Sequence, residues 1–344
     1  MTATSKKFKN PRAQHNFQGR TCSITAVGSY VPPRVLTNAE LEKMVDTSDE
    51  WITSRTGIKE RRIAAADEFT SDIAAKAALL AIERAQITPE QIDLIIVATI
   101  TPDMPFPSTA CLVQQKIGAR RAAAFDIEAA CSGFIFGLEI GQQFIMSRTY
   151  ETVLVIGAEK LSSIVNWKDR NTCVLFGDGG GAAILQHRPQ AHGLLTACMG
   201  SDGSKAELLS MPGGGSRCPA TPDSVLAGHH HLRMDGKETF KSAVNAMYTA
   251  AQEAMRRCEI DISQIKCVIP HQANRRIIDA VGERLGVTPE QIFINLEKYG
   301  NTSAASVAIA LDEAVAAGKI NRGDLVLLVV FGAGLTWGAA VIEW

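Results

Sequence analysis

The chain has 344 residues, is 46% hydrophobic, and carries 35 Lys and Arg against 36 Asp and Glu, a formal charge of -1. A chain of that size buries a large core as two domains or one large α/β domain, and its balanced charge excludes a field that would draw nucleic acid or an anionic membrane, so any basic docking patch is local. The eight cysteines are scattered without a CxxC pair or a histidine at zinc-ligand spacing, which fits neither a disulfide scaffold nor a metal site and points to a reducing cytoplasm.

In chain order, residues 1 to 20 hold Lys6, Lys7, Lys9, Arg12 and Arg20, and no acidic residue precedes Glu40. This stretch reads as a disordered basic extension rather than a targeting remnant. It lacks the apolar core of a secretory signal, and no later run reaches the roughly 18 to 20 apolar residues that span a bilayer.

From there short apolar runs alternate with amphipathic ones. TCSITAVGSYVP, DLIIVATI and AAFDIEA read as strands, and the stretches near 71 to 86 and 108 to 118 as helices. That order predicts βα units around a buried, largely parallel sheet. DIEAACSGFIFGL then places Cys131 at a strand-to-helix junction. Gly133, Gly137 and Gly141 follow at four-residue intervals, which permits close packing of one helix face. TVLVIGAE and GAAILQ close this part of the chain.

The order then repeats. ETFKSAVNAMYTAAQEAMRRC leads into SQIKCVIPHQ much as DIAAKAALLAIERA leads into EQIDLIIVAT, and NTSAASVAIALDEAVAAG precedes a further apolar strand region as the Cys131 helix does. The chain reads as a duplicated α/β unit, with halves at 21–192 and 193–344. Between them, the Gly-, Pro- and Ser-rich stretch around 204 to 236 reads as a long loop, and its His229, His230 and His231 as a solvated tract rather than a metal site. Duplication predicts that Asn301, near the start of the helix equivalent to that of Cys131, faces Cys131 across a pseudo-twofold axis.

A cysteine is a nucleophile only as thiolate, and a helix N-terminus lowers its pKa. Taken singly, Cys131 also reads as a small core residue. His271 lies at a strand end, where α/β folds place ligands, and Asn301 taken singly reads as an N-cap. Together the motifs DIEAACSGF, HQAN, GNTSAAS and GAGLTWG resemble the Cys-His-Asn set of β-ketoacyl-acyl-carrier-protein synthase III, from about residue 22 to Trp344.

The resemblance implies a thiolase-like αβαβα fold, normally a homodimer, and an initiating decarboxylative condensation. An acyl-CoA, with acetyl-CoA the expected primer, acylates Cys131; malonyl-loaded acyl carrier protein then gives a 3-ketoacyl carrier-protein thioester, CoA and CO2, with no cofactor. It assigns the oxyanion hole to the backbone amides of Cys131 and Ala333. Trp51 and Arg55 in SDEWITSRTGI and Arg170 in NWKDRNTCVLFGDG match CoA-binding positions, an indole and guanidinium planes suited to a flat base and phosphate. The bland alternatives are a packing anchor for Trp51 and a surface ion pair for Arg170.

Gly236, Phe240, Asn274 and Arg276 match the pantetheine tunnel and its rim. Phe331 matches an aromatic beside the cysteine, and Phe106 the residue a partner subunit lends to the acyl pocket. Lys241, Arg275, Arg276 and Arg284 are candidates for carrier-protein docking. Elongating relatives of this fold use two histidines and degradative thiolases a second cysteine; Asn301, with no second Cys before the final Gly-rich strand, favours decarboxylative condensation over thiolysis. The competing readings are a secondary-metabolite enzyme of the same fold with another acceptor, a Cys-dependent thioester hydrolase, and a non-catalytic binding protein.

Overall fold

The computed structural model describes residues 20–188 and 193–344. The predicted N-terminal extension, save Arg20, and the predicted boundary at 192 lie outside the described residues. Arg20 itself is tied to Glu151 at 2.5 Å.

One sheet is built from β1 (Ser23–Tyr30), β2 (Leu94–Ala98), β3 (Ala123–Ile127), β4 (Thr152–Glu159) and β5 (Gly179–Gln186) in the order β1-β5-β4-β2-β3. A second consists of β6 (Gly193–Ser201), β7 (Cys267–Pro270), β8 (Leu325–Gly332) and β9 (Thr336–Glu343) in the order β7-β8-β9-β6. The expectation of largely parallel sheets is corrected. β2 pairs in parallel with β3 and β4, and β7 with β8, but β5 and β9 return antiparallel beside their neighbours. The short Ala333–Leu335 connection folds β8 back onto β9 as a hairpin, a connection too short for a parallel crossover.

Helix α1 (Asp49–Thr56) is capped by Ser48 and closed by Gly57 in the left-handed region. Helices α2 (Thr70–Ala85) and α3 (Thr109–Ile117) cover the outer face of the first sheet through Ala74, Ala78, Ala81 and Val113. Helices α5 (Gly236–Cys258) and α6 (Arg275–Leu285) cover the outer face of the second through Met247, Ala251 and Val281. Between the sheets lie α4 (Gly133–Met146) and α7 (Ala305–Ala316), whose Phe134, Leu138, Val307 and Leu311 share a core with strands of both. The layers therefore run helix, sheet, helix, sheet, helix, the thiolase-like arrangement. The glycine-spaced face of α4 lies directly on the first sheet: an added Cβ at Gly137 would stand 2.7 Å from Val155 Cγ1.

The stretch read as a long loop has structure of its own. Leu209–Ser210 pairs with Arg233–Met234, and a short helix covers Pro222–Leu226 behind a Thr221 cap. His229 Nδ1 lies 3.3 Å from Cys218 Sγ, and the His230 and His231 ring centroids lie 4.0 Å apart with their planes tilted by 47°.

Candidate active site

Cys131 sits in a 3₁₀ turn, Ala130–Ser132, that feeds α4, with Ala130 at φ +45°. The end of β8 closes on it. An added Cβ at Gly332 would lie 2.7 Å from the Cys131 backbone nitrogen, so only glycine permits this approach. The following turn, which contains Ala333, is tied to the cysteine turn because Thr336 Oγ1 donates to the carbonyls of Ala129 and Ala333, each at 2.9 Å.

His271 follows β7, its backbone N–H donating to Val329 at 2.8 Å. Its ring Nδ1 lies 2.6 Å from Ser306 Oγ, which also accepts from the Gln272 N–H at 3.4 Å. The hydroxyl has one proton to donate; where it donates to Nδ1, the neutral ring carries its own proton on Nε2. The imidazole is buried and pushed down to about 3 by desolvation, so it is neutral at pH 7. Asn301 lies four residues before α7, on a segment bonded to the chain before β5: its N–H donates to Leu175 and its carbonyl accepts from Gly177. Asn301 Oδ1 accepts from the Ser303 N–H at 2.8 Å, so the amide is left to donate through Nδ2.

These elements bring Cys131, His271 and Asn301 to the wall of one cavity of about 140 Å³. Gly236, Phe240, Asn274 and Phe331 line it too, with Met234, Met247 and Ile277 among its apolar walls. A helix N-terminus does not leave the free thiol acidic. Cys131 is 6% exposed, and burial pushes its pKa up to about 12, with the Glu159 carboxylate adding to the rise and Ser303 opposing it.

Outside the cavity, Trp51 on α1 is half-buried, with the Arg55 and Arg170 guanidinium carbons 4.8 and 5.3 Å from its ring centroid. Arg170 also donates to the Asp46 carbonyl at 2.8 Å. Both the anchor and the ion-pair readings describe contacts these residues make in the free protein. Asn274 donates to the Arg55 carbonyl at 3.1 Å, which joins this cluster to the cavity wall.

Arg276 lies 5.8 Å from the Phe240 ring. Lys241 and Arg275 pair with Glu238 and Asp279 of their own helices, and Arg284 donates to Asn245 and covers Tyr248. Phe106 is 84% exposed and does not line the cavity. Ser303, Ser306, Thr336 and Glu159 are contributors that sequence reasoning passed over; the two serines stand in the quoted GNTSAAS motif and Glu159 ends TVLVIGAE.

Residues 125–203 match the model of 3-oxoacyl-[acyl-carrier-protein] synthase III, and residues 255–344 that of its C-terminal part. The chain is 57% identical over 321 residues to the β-ketoacyl-[acyl-carrier-protein] synthase III of Caldanaerobacter subterraneus subsp. tengcongensis, covering 93% of this chain and 97% of that one. The chain belongs to the β-ketoacyl-acyl-carrier-protein synthase III family. The synthase III of Symbiobacterium thermophilum is 53% identical over 325 residues, 94% of this chain and 98% of its own. The crystal structure of the Aquifex aeolicus 3-oxoacyl-[acyl-carrier-protein] synthase III superposes with a TM-score of 0.87 at 49% identity, over 94% of this chain and all of that one. Among the described residues no helix is long and apolar enough to cross a membrane.

Proposed function

We propose that this synthase III homologue performs the initiating condensation of dissociated fatty-acid synthesis, joining an acyl-CoA primer, acetyl-CoA in the first instance, to malonyl-acyl carrier protein. The observation that carries the reading is the convergence of Cys131, His271 and Asn301 on one narrow cavity. In the first half-reaction the Cys131 sulfur attacks the acyl carbon, the tetrahedral oxyanion is met by the amides of Cys131 and Ala333, and CoA leaves. Trp51 and Arg170 hold the adenine, which on entering between them displaces Arg170 from the indole and from Asp46. Arg55 meets phosphate, and the pantetheine arm passes Gly236, Phe240, Asn274 and Arg276.

In the second half-reaction malonyl thioester loses CO2, and the electron pair of the broken C–C bond forms an enolate. No base is needed to remove a carbon-bound proton. The site supplies two hydrogen bonds to the enolate oxygen, from neutral His271 Nε2 and Asn301 Nδ2, and loss of one such donor costs on the order of 3 kcal/mol. The carbanion attacks the acyl-cysteine and expels the sulfur.

Carrier protein, an acidic partner, docks on the local patch of Lys241, Arg275, Arg276 and Arg284. Phe106, an aromatic side chain left 84% exposed, enters the acyl pocket of a second subunit in a homodimer. The reaction needs no cofactor, and the assembly works in the cytoplasm with no nucleic-acid or membrane partner. Incubation with a panel of short acyl-CoAs and carrier-bound malonate, read by product mass, tests the reading. A 3-ketoacyl carrier-protein product supports it; free acid released in step with CoA would show a thioester hydrolase, and Cys131 acylation without use of malonyl carrier protein an enzyme with another acceptor.

A further inference from the structure

Arg61 is fully buried, and among the described residues its guanidinium bonds to neutral oxygens and to no carboxylate. The adjacent Glu60 pairs with Arg62 instead, at 3.6 Å. Burial pulls the Arg61 pKa down to about 10, so the group is still a cation at pH 7. A buried charge without a counter-ion costs stability, and the Arg61 Nε has no hydrogen-bond partner either. Charge pairing therefore does not account for this side chain.

Its hydrogen bonds point in two directions. Nη1 donates to the Leu36 carbonyl at 3.1 Å and to Asn38 Oδ1 at 2.8 Å, whereas Nη2 donates to the Val174 carbonyl at 2.7 Å. The first direction leads to α1. Asn38 carries the contact on, its Nδ2 donating to Asp49 Oδ1 at 2.7 Å and to the Ile58 carbonyl at 2.9 Å. Asp49 opens α1 and Ile58 follows its closing Gly57, so Asn38 grips the helix of Trp51 and Arg55 at both ends. The second direction leads to Arg170, because Val174 directly follows the four-residue helix Arg170–Cys173. One guanidinium thus bridges the two elements whose side chains, Trp51 and Arg170, meet at 5.3 Å.

The same bridge reaches Asn301. Leu175, next after Val174, accepts from the Asn301 N–H at 2.8 Å, and the Gly177 N–H donates to the Asn301 carbonyl at 3.1 Å. Arg61 packs against this crossing. An added Cβ at Gly177 would stand 2.4 Å from the Tyr299 carbonyl oxygen and 3.0 Å from Arg61 Cβ, and one at Gly300 would stand 2.7 Å from the Leu175 carbonyl oxygen and 3.5 Å from Arg61 Cβ.

We propose that Arg61 is a positioning residue: its guanidinium fork sets the gap between Trp51 and Arg170 that admits the adenine of CoA, and through Val174 and Leu175 it seats Asn301. The inference rests on the roles proposed above for those three residues. A flat base stacks on an indole and a guanidinium only where the two are held facing each other, and neither α1 nor the short Arg170 helix bonds to the other through its own backbone. An arginine suits the bridge because its planar fork bonds on two sides at once. A lysine has the charge and the stem, but its single ammonium cannot reach the Asn38 side and Val174 together.

Full-length wild type, Arg61→Lys and Asn38→Asp provide the test. Asn38→Asp keeps the oxygen that accepts from Arg61 and removes the two donors to α1, so it cuts one arm of the bridge. In Arg61→Lys the dissociation constant of CoA, read by calorimetry, is expected to rise about tenfold, and malonyl decarboxylation to fall about tenfold through a displaced Asn301. Acetylation of Cys131 by a short thioester without the nucleotide is expected to hold. Asn38→Asp is expected to weaken CoA alone. Trp51→Ala is expected to cost less CoA affinity in the Arg61→Lys background than in wild type, as for residues that act through one contact.

Additive losses from Trp51→Ala and Arg61→Lys, or equal losses in CoA affinity, decarboxylation and nucleotide-free acetylation, would show that Arg61 only supports the fold and would overturn the proposal. Unchanged CoA affinity in Asn38→Asp would overturn it even where Arg61→Lys fails to fold. Wild type that binds CoA with the expected dependence on Trp51, Asn38 and Arg61 but forms no 3-ketoacyl product would overturn the condensation proposed above and leave the bridge supported.

Discussion

Asn301 Oδ1 accepts a 2.8 Å hydrogen bond from the Ser303 N–H, which fixes the carboxamide with its nitrogen as donor beside Cys131 and His271 on the cavity wall. Asn301→Asp keeps the shape and still satisfies the Ser303 amide, but replaces the donor with a charged acceptor. Malonyl decarboxylation is expected to fall about 100-fold or more while Cys131 acylation persists. Loss of acylation with decarboxylation intact would reverse the roles assigned to the two half-reactions.

A Ser306 hydroxyl that donates to Nδ1 keeps the His271 ring proton on Nε2. Ser306→Ala removes the 2.6 Å partner of Nδ1, freeing the ring to place its proton on either nitrogen. The expected result is a drop in decarboxylation of about tenfold, on the order of 1.4 kcal/mol, together with a change in the ¹⁵N shifts of His271 toward a mixed tautomer. Unaltered shifts would show that the serine only fills space.

Burial holds His271 neutral, with a pKa of about 3 against an ordinary 6.5. In the window between those values the unfolded chain binds the extra proton, so this contribution to stability is present above 6.5 and is lost as pH falls toward 3. His271→Gln, which does not titrate, is expected to lose less melting temperature than wild type between about pH 7 and about pH 5. Parallel melting curves against pH would contradict a neutral buried imidazole.

Trp51 carries two guanidinium groups at 4.8 and 5.3 Å in the free protein. Trp51→Ala is expected to raise KM for acetyl-CoA about tenfold, in keeping with loss of one base-stacking contact, with kcat little changed. Acetylation by a short thioester that lacks the nucleotide provides the control. An equal loss with that donor would mean that the indole supports the fold rather than the adenine.

Which parts of this molecule were legible from its sequence follows from what each signal encodes. The helix at Thr70–Ala85 carries helical periodicity, the strand at Leu94–Ala98 is a short continuous apolar run, and the duplication of such pairs foretells the layered fold. Periodicity says nothing of strand direction, so the antiparallel returns of β5 and β9 were missed. The Thr221-Pro222 cap and the Leu209–Met234 pairing were hidden by the composition of their loop. At the site, Cys131 and Asn301 taken singly read as a core residue and an N-cap, and with His271 they stand out only through their motifs taken together. Ser303 and Ser306 stand in a run of small residues and Glu159 at the end of an apolar strand, where no spacing or charge pattern marks them. Their positions become visible only when β4, α4 and α7 meet.

The account depends on Cys131 being the acyl acceptor, and the mass of its peptide after incubation with acetyl-CoA tests that most directly. The peptide containing Cys131 is expected to gain one acetyl group, to lose it when malonyl-acyl carrier protein is added, and to gain none in Cys131→Ser. An unmodified Cys131 peptide across several short acyl-CoAs, or an acetyl group found on another residue, would contradict it.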